Sequence, residues 1–160
     1  LARQRPGWRV TAADASQAML DIAAKAISQA GWPCQIELIL TDAKALNLPT
    51  GEFDVVFSNS ILHHINDVDA FWAQVKRVAA PEAVIFIRDL ARPADEETAR
   101  RIVNENAGSE STLLQDEFYR SLLAAYTVDE IREQLEQAGL AKLQVQMVTD
   151  RHLDVFGTLE

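Results

Sequence analysis

Cysteine occurs once in these 160 residues, at Cys34, so no disulfide can form within the chain, and a reducing, cytoplasmic setting is the expectation. Long apolar runs are missing as well. None approaches the roughly 20 residues that a membrane-crossing helix needs, and the amino end, LARQRPGWR, carries no hydrophobic signal region. Positive charge is scarce: 15 Lys and Arg stand against 24 Asp and Glu, for a formal net charge of -9. That balance sets long-range repulsion against nucleic acid and against an anionic membrane surface, which leaves a small molecule as the expected partner. No linker, internal repeat or low-complexity tract divides the sequence, so a single domain over 1–160 is predicted. Apolar residues make up 48% of the chain, enough for a real core.

What is present is an alternation of strand and helix patterns. Leu1 to Arg5 read as the tail of a helix stopped by Pro6 and Gly7, and Trp8 to Ala13 as a short strand. Asp14 and Ser16 follow, and then Met19, Ile22, Ala23, Ala26, Ile27 and Ala30 recur at helical spacing up to Gly31. Ile36 to Leu40 form a second strand, which feeds a polar turn at Thr41 and Asp42.

The central stretch is FDVVFSNSILHHIND, Phe53 to Asp67. Val55, Val56 and Phe57 predict a buried parallel strand, and the polar residues just past its carboxyl end lie where open α/β sheets bind ligands. Asn66 or Asp67 caps a helix with Val68, Phe71, Trp72, Val75 and Val78 inward, and Pro81 prevents its continuation. Ala83 to Ile87 predict a fourth, buried strand.

The region of about 91–125 breaks this rhythm with two helical patterns, Ala94 to Asn104 and Thr112 to Ala125, read as an insertion that roofs a ligand cleft. Thr127 and Glu130 make a capping box for a helix closed by Gly139. Leu143 to Met147 and Leu153 to Thr158 are joined so closely that they must pair antiparallel. The predicted fold class is α/β: three layers, α/β/α, with a mostly parallel sheet and an antiparallel strand at the carboxyl end.

VTAADASQAML from Val10, LTDAKALNLPTGEFDVVFSNSILHHIND from Leu40 and YTVDEIREQLEQAGL from Tyr126, taken with their order and spacing, resemble the Rossmann-like methyltransferases that use S-adenosylmethionine. RDLARP from Arg88 and QDEFYRSLLAA from Gln115 resemble a small-molecule branch of that family. The resemblance implies that Asp14 accepts from both ribose hydroxyls; a plain helix N-cap is the alternative. Ala15 and Met19 would border the adenine, although Met19 at helical spacing also suits a core. Asp42 and Ala43 fall where the family holds the adenine edge, against an Asx turn as the bland explanation. Asn59 would meet the methionine part, or else Ser58 and Asn59 only finish the strand. SNSI in place of an N-P-P-aromatic motif argues against methylation of an exocyclic base amine.

His63 and His64 are candidates for a base in the acceptor pocket, against a histidine that closes the core beneath the cleft. Neighbouring residues on a helix point about 100° apart, so a metal site on the pair is not expected. Asp89 is a comparable catalytic candidate, and Arg88 either anchors an acidic substrate or pairs with carboxylates. Tyr119 and Arg120 are lid candidates, whereas His152 and Cys34 are assigned no role.

The family's first strand, with its GxGxG turn, would precede Leu1, and no such segment occurs in these residues. The expectation is therefore an amino-truncated methyltransferase that associates with further copies to cover the opening, or rearranges around it, and binds cofactor poorly alone. Two rivals stand beside it: a non-catalytic relic or interaction module, and a nicotinamide-dependent oxidoreductase. The antiparallel pair at the carboxyl end speaks against the second.

Overall fold

A computed structural model describes residues 3–32 and 34–159. Of the helix tail expected at 1–5, the first two residues lie outside this range, and the remainder forms turns rather than helix. The chain divides into two compact units, Leu1–Asn47 and Leu48–Glu160.

The first unit is a strand, a helix and a strand. β1 (Val10–Asp14) runs parallel to β2 (Ile36–Leu40), with Asp14 opposite Leu40 at the carboxyl ends. They are joined through α1 (Gln17–Ala30), whose N-cap is Ser16 and whose C-cap is Gly31, in the left-handed conformation that a residue without Cβ adopts freely. The cap at this helix is thus Ser16, not Asp14, which ends the strand.

The second unit is built on a four-stranded sheet in the order β3–β4–β6–β5. β3 (Phe53–Asn59) and β4 (Ala79–Leu90) are parallel, while β6 (His152–Thr158) is antiparallel both to β4 and to β5 (Gln144–Met147). β4 exceeds the predicted strand of Ala83 to Ile87 at both ends. Its start follows directly on α2 (Val68–Val78), and the register jumps from Phe53 opposite Ala79 to Val55 opposite Val84. Pro81 sits in that bulge, where its missing N–H removes no ladder bond, and Glu82 takes φ +61. The far end extends because β6 pairs with β4 as far as Leu90.

Phe71, Trp72, Val75 and Val78 form the buried stripe of α2, capped by Asp67. Trp72 is fully buried, so its indole N–H needs a partner; Gln134 on α5 (Val128–Gln137) accepts from it at 3.0 Å. The box at Thr127 and Glu130 forms with both of its bonds. α3 (Glu96–Ala107) and α4 (Thr112–Ala124) are the two predicted helices of the insertion. Ala99, Ile102, Val103, Leu122 and Ala125 form a small core with Leu90 at the end of β4, which ties the pair to the carboxyl end of the sheet.

Candidate functional site

In the first unit the carboxyl ends of β1 and β2 lie side by side, and each continues into a polar turn. Asp14 Oδ1 accepts from the Ser16 N–H at 2.8 Å, which fixes the carboxylate just before α1 and leaves Oδ2 without a partner among the described residues. An acceptor held by its backbone neighbour, with one oxygen open, suits a ribose hydroxyl. Met19 is 53% exposed, so the core role weighed for it does not hold. Ala15 precedes the Ser16 cap and is exposed.

At the end of β2, Asp42 Oδ1 accepts from the Lys44 N–H at 2.8 Å and Oδ2 pairs with Lys44 Nζ at 3.0 Å. The backbone bond, helped by the ammonium, holds this carboxyl below its usual range. The Asx turn is therefore real. It leaves the Ala43 N–H without a partner among the described residues, a free donor beside the carboxylate.

In the second unit β3 ends at Asn59, whose side-chain amide makes no hydrogen bond to the described residues. Ser60 turns sharply at φ +59 and gives its N–H to the Arg88 carbonyl at 2.9 Å. A 3-10 turn, Leu62–His64, follows. Among the described residues, Ser58 Oγ is the side-chain oxygen sealed from solvent without a partner.

This turn is fastened to β4 by one carboxylate. Asp89 is 1% exposed; Oδ2 accepts from the Leu62 N–H at 2.7 Å, and Oδ1 accepts from the Leu90 N–H at 2.8 Å. His63 Nδ1 lies 2.6 Å from the same Oδ1. A carboxylate only accepts, so we assign the proton to Nδ1, which leaves Nε2 as an open acceptor. Among the described residues Nε2 has no hydrogen-bond partner, yet it is not sealed away as Ser58 Oγ is. His64 is exposed, its ring 4.0 Å from that of His63 by centroids.

His63 and Asp89 were each legible singly, but their pairing was not. Asp154 was missed altogether: it is a buried carboxylate in an apolar strand, and it grips Arg88 from across the sheet. Its signal was a charged residue inside the alternating run HLDVFGT. Tyr119 is spent on Glu96, with Arg100 over its ring, and Arg120 lies near Glu117. Among the described residues no group of three metal-ligating side chains forms, and no helix is long and apolar enough to cross a membrane.

Comparison with known proteins bears on this geometry. A family model described as a methyltransferase domain matches residues 1–87, more than half of the chain. The ubiquinone biosynthesis O-methyltransferase of Brucella anthropi is 31% identical over 88 residues, covering 55% of this chain and 35% of that protein. The ubiquinone/menaquinone biosynthesis C-methyltransferase of Hahella chejuensis is 26% identical over 90 residues, with 56% and 36% covered. The match thus spans about a third of the length of these relatives.

Among solved structures, a SAM-dependent methyltransferase from Aquifex aeolicus superposes with TM-score 0.68 at 19% identity, over 95% of this chain and 69% of the other. Phosphoethanolamine N-methyltransferase 2 of Haemonchus contortus, solved with S-adenosyl-L-methionine, gives 0.73 at 16%, over 99% and 45%. These likenesses establish the α/β fold.

Proposed function

The chain belongs to the methyltransferase domain family, and from that footing we propose that it moves a methyl group from S-adenosylmethionine to a hydroxyl of a small molecule. The observation that carries the choice of nucleophile is the His63–Asp89 pair. A base is needed only where the acceptor must lose a proton, and the pair supplies one. Asp89 fixes the ring and its tautomer through Nδ1, and Nε2 takes the hydroxyl proton as the oxygen attacks. His64, exposed beside it, lines the approach.

S-adenosylmethionine supplies an already activated sulfonium methyl. In the first unit Asp14 would hold the ribose hydroxyls through its open oxygen, Ala15 and Met19 would border the adenine, and Asp42 with the Ala43 N–H would take the adenine edge; in the second unit Asn59 would meet the methionine part. Positioning of this kind, with water excluded, accounts for as much as roughly 7 to 11 kcal/mol of barrier lowering. The remaining chemistry is the proton at His63. The same reading takes α3 and α4 as the acceptor-binding insertion of one methyltransferase domain working in the cytoplasm.

The test is transfer of label from methyl-labelled S-adenosylmethionine to a panel of phenols and enols. His63→Gln should abolish labelling of acceptors with high hydroxyl pKa and spare those already ionised, with S-adenosylhomocysteine binding unchanged. Equal loss on both kinds of acceptor would remove the base from the mechanism.

A further inference from the structure

On one face of the second unit's sheet the residues form registered rows. Phe57, Phe86 and Phe156 lie abreast across β3, β4 and β6, and the next row toward the carboxyl ends of β3 and β4 is Asn59, Arg88 and Asp154. The alternate residues Ala83, Ile85, Ile87 and Asp89 face the buried side. Arg88 is thus the cation at the carboxyl end of β4, next to the residue proposed to meet the cofactor.

Its geometry is fixed. Asp154, 7% exposed in its side chain, accepts from Arg88 Nε through Oδ1 and from Nη2 through Oδ2, both at 2.7 Å. A guanidinium offers five coplanar N–H donors, and this side-on grip uses one edge alone. The end-on edge, formed by Nη1 and the second Nη2 hydrogen, has no acceptor among the described residues, and the side chain is 43% exposed. The Phe86 ring lies 5.7 Å from the guanidinium carbon, and Phe86 and Phe57 remain 37% and 49% exposed.

From this we infer that Arg88 anchors the carboxylate of a small acid with a flat apolar body. The carboxylate takes the end-on fork, and the body rests on Phe86 and Phe57. Asp154 has already restrained the long side chain, so little further rotamer freedom is lost on binding. Asp154 also cancels the charge, and with a net charge of -9 around it, recognition comes from short-range hydrogen-bond geometry rather than distant attraction.

The experiment titrates benzoate and its neutral isostere benzamide into the full chain, followed by nitrogen-proton NMR that includes the Arg88 Nε–H. Benzoate is expected to shift that signal and the Asn59 and Phe86 amides saturably, with benzamide about tenfold weaker. Arg88→Gln strands Asp154 and is liable to unfold, so Arg88→Lys is the main variant. It keeps an ion pair with Asp154 and an unchanged melt, yet weakens benzoate about tenfold because an ammonium has no second planar fork. Equal binding of the two probes, an unweakened Arg88→Lys, or no saturable shift overturns the anchor. Benzoate failing while S-adenosylhomocysteine still binds sinks the anchor alone; benzoate binding without S-adenosylhomocysteine supports the anchor and sinks the donor reading.

Discussion

Replacing Asp89 tests what holds the turn after β3. Three donors converge on this carboxylate: the Leu62 N–H, the Leu90 N–H and His63 Nδ1, at 2.7, 2.8 and 2.6 Å. At 1% exposure water cannot take its place. Each bond to a charged group contributes about 1.5–3 kcal/mol, but the three share one side chain and are not additive, so Asp89→Ala is expected to cost about 3–5 kcal/mol. Asp89→Asn keeps one accepting arm and turns the other into a donor. With the amide oxygen in the Oδ1 position, the Leu62 N–H faces an N–H, at a cost of about 1–3 kcal/mol. Urea unfolding should rank parent, Asn and Ala in that order, and melting temperature should fall by about 2–4 °C per kcal/mol at this chain length. Hydrogen exchange of the Leu62 amide should quicken in both variants. An alanine variant within about 0.5 kcal/mol of the parent, with Leu62 exchange unchanged, would refute the clamp and with it the fixed His63 ring.

Ser16→Ala should cost about 1 kcal/mol of helix stability and leave S-adenosylhomocysteine binding alone, whereas Asp14→Asn keeps the turn to Ser16 and weakens that binding; calorimetric titration separates the two. Glu130 titrates below the usual carboxyl range: burial opposes this, but the Thr127 N–H and the Arg92 guanidinium outweigh it. Its contribution to stability is therefore complete above about pH 5 and lost as pH falls through the lowered value, and Glu130→Gln should flatten that acid limb in pH-dependent unfolding. His152 is held below the usual imidazole range, first by burial and then by Arg151 and Arg88. The unfolded chain takes up the proton more readily, so stability is full above about pH 7 and declines as pH drops below about 6.5; His152→Gln should remove that slope.

The fold was largely legible because its signals are local. The Thr127 and Glu130 box, the Phe71, Trp72, Val75 and Val78 stripe and the short connection before His152 each fix an element from neighbouring residues. The extra length of β4 was not, because it depends on pairing with β6, far along the chain. At the site, residue types pointed to Asp14, Asp42, His63 and Asp89 singly. What escaped was who holds whom: Asp89 reaches back 26 residues to His63, and Asp154 reaches 66 to Arg88. Such pairings are set by sheet register, which a single sequence does not display. Ser16 took the cap because β1 runs on through Asp14, carrying the carboxylate to the strand end.

The claim beneath all of this is that the turns at Asp14 and Asp42 in the first unit receive the nucleoside part of a methyl donor. Titration of the isotope-labelled chain with S-adenosylhomocysteine, up to millimolar so that weak binding is seen, tests it directly. Saturable shifts at the amides of Asp14, Ala15, Asp42 and Ala43 are expected, and Asp14→Asn should weaken all of them together. Shifts confined to other residues, such as the α2 and α5 surface around Ala73 and Gln137, or none at saturating ligand, would contradict it.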